Sequence, residues 1–166
     1  FESFSFDEFD LVISVTSEAA KGVITKPGTM HICYCLTPTR YLWSGFEDYF
    51  KNKLIGFILK PAISYLKNWD KIAAKRPDYF IATSSEVKGR IEKYYGLDSE
   101  IIFPPVTIER PSIVSKGRND FFLFVSRFSR FSYYKKADLV IEAFNKINLP
   151  LKVVGFGPML GKYKSK

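Results

Sequence analysis

The chain has 166 residues, 46% hydrophobic and 25% charged, a balance that supports a packed α/β core and excludes a disordered chain. Its formal net charge of +8 favours anionic partners, but Lys and Arg are scattered instead of forming one run, which argues against a nucleic-acid footprint. An aromatic share of 17%, with sixteen Phe and ten Tyr, predicts a large apolar core or surfaces that belong against something else.

Residues 1–10 mix aromatics with four acids and lack a basic start, so no signal peptide is expected. The segment Asp10 to Val15 (DLVISV) is a continuous apolar run, which predicts a strand buried on both faces of a parallel sheet. Thr16 or Ser17 then caps a short helix carrying Ala19, Ala20, Val23 and Ile24, stopped by Pro27-Gly28 before a strand over His31–Cys35. Cys33 and Cys35 lie two apart on that strand, so both face the same way without the geometry of an ordinary disulfide, which fits a reducing compartment. His31 is the only histidine, so a Cys/His zinc set cannot be completed and no metal is expected.

Residues 46–75 are apolar enough for two helices, broken or kinked at Pro61. Within them Leu54 to Leu66 is too short to cross a bilayer, although peripheral contact with an anionic leaflet is compatible with it. A buried strand follows at Asp78 to Thr83, then a helix capped by Ser84 or Ser85, with Val87, Ile91 and Tyr94 on one face and Gly96 as its stop. Glu100 to Val106 gives one more short strand ending at Pro104-Pro105. The polar stretch that follows predicts a linker over 107–118 between a unit of residues 1–106 and another of 119–166. In the second unit, Asp120 to Ser126 is a strand, Lys136 to Ile147 a helix with Ala137, Val140, Ile141, Phe144 and Ile147 on one stripe, and Leu151 to Val154 the next strand. Fewer than fifty residues cannot finish a doubly wound domain, so truncation on the C-terminal side is expected.

Three loops carry candidate chemistry. Between a strand end and a helix start, Arg127, Arg130, Lys135 and Lys136 stand where open α/β sheets bind ligands and where helix N–H groups favour anions. Arg grips phosphate oxygens bidentately and Lys adds a compact charge, so the set suits a departing diphosphate; a solvated basic loop is the plain alternative. Gly155-Phe156-Gly157-Pro158, expected as a turn directly after its strand, lets backbone approach a ligand, and an ordinary tight turn is its alternative. Its spacing to Gly161 departs from the dinucleotide pattern. The loop Leu36 to Tyr41 offers Arg40 for an anion or acceptor and hydroxyls on Thr37 and Tyr41, or serves as a Pro38-stiffened structural loop.

Taken in order, HICYCLTPTRYLW (31–43), RPDYFIATSSEVKGRIEKYYG (76–96), IIFPPV (101–106), FFLFVSRF (121–128) and YKKADLVIEAFNKINLPLKVVGFGP (134–158) resemble the glycosyltransferase family 4 group of WbaZ-like mannosyltransferases. The resemblance covers nearly the whole chain. It implies a GT-B fold, α/β with parts of two Rossmann-like domains and parallel sheets, both incomplete: 1–106 late in the acceptor-side domain, 119–166 early in the donor-side domain. It further implies retaining transfer of a sugar, such as mannose from GDP-mannose, to a glycan or lipid-linked acceptor, without a cofactor and in the cytoplasm, with the inner membrane face as a compatible site. The basic pair on the donor diphosphate would be Arg127 or Arg130 with Lys135, flanked by Lys136. Arg127 has the strand register and Arg130 the spacing to Lys135. Gly155, Phe156, Gly157 and Pro158 would approach the donor; Thr37, Pro38, Arg40 and Ser84 would line the acceptor side.

The chain departs from that pattern in three ways: SRF occurs twice, Leu36 stands where the family has a histidine near the transferred sugar, and the family's Glu-x7-Glu segment would lie past Lys166. Three rivals follow. One is a noncatalytic sugar-nucleotide or glycan-binding relative, supported by Leu36; the second is a nicotinamide-dependent oxidoreductase using the Gly155 segment, and the third is a basic membrane-surface or nucleic-acid module.

Overall fold

A computed structural model describes residues 2–49, 53–107, 120–128 and 135–164. The chain divides into two compact units, Phe1–Thr107 and Ile108–Lys166, each α/β with a parallel sheet in a Rossmann-like arrangement. Of the expected linker only Thr107 is among the described residues.

In the first unit β1 (Leu11–Thr16), β2 (Met30–Cys35), β3 (Tyr79–Ala82) and β4 (Glu100–Ile101) pair in sequence order, all parallel. A 3₁₀ turn, Ala19–Gly22, links β1 to β2 in place of the expected longer helix. Helices α1 (Phe46–Tyr49) and α2 (Lys53–Ala73) precede β3, and α3 (Ser85–Tyr95) precedes β4. The helix α2 runs through Pro61 as one element, correcting the expected break into two helices there. Proline removes one donor, and Ile63, Asp70 and Ala73 on one buried stripe hold the helix together.

Cys33, Cys35, Phe80 and Ala82 from the sheet close a core with Ala74, Val87 and Ile91. The opposite sheet face is bare: Leu11, Ile13, Val15, Met30 and Tyr79 are exposed, Ile13 at 58% and Val15 at 61%. Strands β1 and β3 are therefore buried on one face, not two. Strand order explains it. Right-handed crossovers that always step the same way across a sheet land on the same side, so helices reach the second face only where the order reverses. Here it does not reverse.

In the second unit β5 (Phe122–Arg127) pairs in parallel with β6 (Leu151–Phe156), joined through α4 (Ala137–Ile147), and α5 (Leu160–Lys164) follows. Phe128 is its buried centre, its ring 5.1 Å from that of Tyr163, while Phe122 meets Phe144 at 5.1 Å. Of the expected stripe on α4, Ala137 and Ile141 are buried, and Ile147 is exposed.

Candidate functional site

In the first unit the loop after β2 is built by what lies under it. Pro38 and Thr39 are buried, so Pro38 shapes the loop from within and offers no open contact. Thr37 Oγ1 accepts from the Arg90 guanidinium at 3.3 Å, and Thr83 Oγ1 donates to the Leu36 carbonyl at 3.4 Å. Those contacts bring Thr37 to the start of α3, where Ser84 Oγ caps the helix by accepting from Val87 N at 3.3 Å. Arg90 also pairs with Glu86 at 3.0 Å. Leu36 and Arg40 sit on the same loop, Leu36 exposed and Arg40 half-buried.

A buried polar cluster holds this loop. Asp70 on α2 accepts four hydrogen bonds: Lys21 Nζ at 2.6 Å and Thr39 Oγ1 at 2.9 Å on Oδ1, Trp43 Nε1 and Tyr95 OH each at 2.8 Å on Oδ2. Lys21, from the 3₁₀ turn, also donates to the Glu18 carbonyl at 2.7 Å and lies over the Tyr95 ring. Both charges are about 2% exposed. Burying such a pair costs on the order of several kcal/mol per ion unless further hydrogen bonds fill the free positions, and here three more donors on Asp70 and the Glu18 carbonyl on Lys21 do so. Burial and then the Asp70 carboxylate push the Tyr95 hydroxyl far up, so it stays a donor at any working pH. Trp43 stacks on Tyr94 with ring centroids 5.1 Å apart.

None of Lys21, Asp70, Arg90 or Tyr95 stood out in the sequence. Asp70 lies seven residues after Ile63 and three before Ala73, on the buried stripe of α2. An acid at that phase was the available signal.

In the second unit the described donor-side candidates stand at the carboxyl ends of β5 and β6 and at the start of α4. Arg127 ends β5, exposed, in register with Phe156, the exposed end of β6. Lys135 and Lys136 are exposed at the start of α4; Lys136 adopts the left-handed φ of 47°, which costs a non-glycine residue about 1–2 kcal/mol. Arg130 lies outside the described residues. Gly155 and Phe156 belong to β6 itself, so the turn begins only at Gly157, a correction to the expected four-residue turn. Packing dictates both glycines: a Cβ on Gly155 would strike the Ser126 carbonyl and the Phe128 ring, and one on Gly157, with φ 139°, the Phe128 backbone. Pro158 follows, exposed, and Leu160 N donates to the Gly157 carbonyl at 3.0 Å as α5 opens.

Among the described residues no three His, Cys, Asp or Glu side chains could share a metal ion, and no helix is long and apolar enough to cross a membrane. No model of a known protein family matches the chain. Over 118 residues, 68% of its length, the chain is 30% identical to D-rhamnosyltransferase WbpZ of Pseudomonas aeruginosa. The chain is related to a glycosyltransferase. It spans about 30% of that relative's length.

Proposed function

We propose that the chain is part of a retaining glycosyltransferase of the GT-B type that moves a sugar from a nucleotide-diphosphate donor, GDP-mannose by preference, to a glycan or lipid-linked acceptor at the cytoplasmic membrane face. Likeness to a protein named as a D-rhamnosyltransferase carries the reading. D-rhamnose is the 6-deoxy form of D-mannose, so the two donors share ring configuration and differ in one hydroxyl.

Residues 1–106 form part of the acceptor side and 119–166 part of the donor side. Loss of a nucleoside diphosphate leaves negative charge on the β-phosphate as the sugar bond breaks. Arg127 or Arg130, with Lys135, neutralises that charge, and Lys136 adds to the positive field, so this reading needs no metal. The place of Arg127 at the carboxyl end of β5 and of Lys135 and Lys136 at the start of α4 supports it, because ligands of open α/β sheets bind at such strand ends. Gly155, Phe156, Gly157 and Pro158 border the donor; Thr37, Pro38, Arg40 and Ser84 shape the acceptor side.

In the full-length polypeptide, Lys135→Ala is expected to weaken GDP-mannose binding by about tenfold or more, the loss of one charge-assisted phosphate contact, measured by calorimetry. Unchanged affinity removes the role assigned to Lys135. A second reading, binding without transfer, is favoured by Leu36, which is 45% exposed just past β2 and whose side chain has no group to hydrogen-bond a sugar. Donor binding without turnover, with transfer gained in Leu36→His, would establish it.

A further inference from the structure

We propose that Asp70 is a positioning residue: by gripping Thr39 and Trp43 it sets the shape of the β2 loop, and with it the places of Thr37 and Arg40 that meet the acceptor. The inference rests on the acceptor-side reading of that loop. Backbone bonds close a local turn within the loop, Leu42 N and Trp43 N donating to the Thr39 carbonyl at 3.1 Å and Gly45 N to the Arg40 carbonyl at 2.8 Å, while Leu36 N donates to the Thr16 carbonyl at 2.9 Å. The side-chain contacts toward α3 are longer, from Arg90 to Thr37 at 3.3 Å and from Thr83 to the Leu36 carbonyl at 3.4 Å. Its side-chain bonds to Asp70 are shorter than those contacts, buried at Thr39 and part-buried at Trp43, and made to a charged acceptor, at 2.9 and 2.8 Å. Hydrogen bonds to a charged group are the stronger class, so the Asp70 contacts anchor this turn to α2 through its side chains.

Asp70 is fixed in turn by two donors from elsewhere. Lys21 comes from the turn after β1, and Tyr95 from the end of α3. The carboxylate is therefore gripped from three segments besides its own helix: the β1–β2 turn, the β2 loop and α3. Of these four donors Thr39 and Lys21 are about 2% exposed, and Trp43 and Tyr95 are half-buried. Leu36, Thr37 and Arg40 are among the loop's exposed or half-buried residues.

The test uses the full-length polypeptide with Thr39→Val, which removes one donor at nearly constant shape, and Thr39→Ser, which restores it. Tyr95→Phe, which loosens the carboxylate while leaving the loop's sequence intact, is the reserve should Thr39→Val fail to fold. Hydrogen exchange across residues 36–45 is expected to quicken by about tenfold in Thr39→Val, with β3 and α3 within twofold, and to return in Thr39→Ser. The KM for octyl α-mannoside as acceptor probe is expected to rise by about fivefold while that for GDP-mannose stays within twofold. Unchanged exchange in 36–45, or equal quickening everywhere, overturns the proposal, as does a quickened loop with an unmoved acceptor KM when Arg40→Ala raises that KM. If Arg40→Ala and Thr37→Ala leave the acceptor KM untouched, or the parent never glycosylates the probe, the acceptor-side reading falls, and exchange alone still decides whether Asp70 positions the loop.

Discussion

His31 is buried between strands, with Nε2 2.9 Å from Ser14 Oγ and its Nδ1 lacking a hydrogen-bond partner among the described residues. Burial pushes its pKa down, partly opposed by the Asp78 carboxylate. A group whose folded pKa lies below its unfolded value binds its proton mainly in the unfolded chain, so stability is full above about pH 6.5 and falls below it, by at most about 1.4 kcal/mol per pH unit. The exposed carboxylates whose pKa values Arg76 and Lys88 lower, Glu2 and Asp98, act only at more acidic pH. Melting temperature should therefore drop between pH 7 and 5, and His31→Gln should flatten that slope; an equal slope in the variant refutes the assignment. At Gly155 the constraint is steric. Gly155→Ala should cost about 1–3 kcal/mol in denaturant titration, because the Ser126 backbone cannot yield as a flexible side chain would.

Among the elements, α3 was legible from end to end. Its Ser84 cap and its Gly96 stop, with φ 68°, are decided within a few residues of themselves, so local chemistry suffices. Helix α2 was not. Pro61 forbids one hydrogen bond, and only contacts made elsewhere along the helix overrule that signal. Pro61→Ala should accordingly stabilise the protein by about 1–3 kcal/mol, read from the urea midpoint; a loss of stability would mean that the ring is needed for packing. The end of β6 was misread for a related reason. Glycines usually mark a turn, yet Gly155 continues the strand because Phe128 and the β5 backbone approach it too closely for any side chain.

At the scale of the whole molecule, the bare face of the first sheet gathers exposed Leu11, Ile13, Val15, Met30 and Tyr79 among the described residues. Parallel sheets are ordinarily covered on both sides, and a contiguous apolar patch of this kind favours association. The 166-residue chain on its own should self-associate in a concentration-dependent way. Replacing Ile13 and Val15 together by Thr should weaken that association by about tenfold or more, followed by sedimentation, with little change in the unfolding midpoint, since both side chains are already in water. Association that persists unchanged would locate it on another surface.

What the linear order of residues determined by itself is the fold class, most of the element positions and the grouping of basic residues after β5, because strand periodicity, caps and strand-end loops are short-range properties. The tertiary structure alone decided which face of the β1–β2–β3–β4 sheet is covered, since that depends on the direction of successive crossovers. It alone also assembled Asp70 with Lys21, Thr39, Trp43 and Tyr95, partners between 25 and 49 residues away along the chain. Buried charges must find their partners wherever the packing brings them, and no local pattern announces which residues those will be.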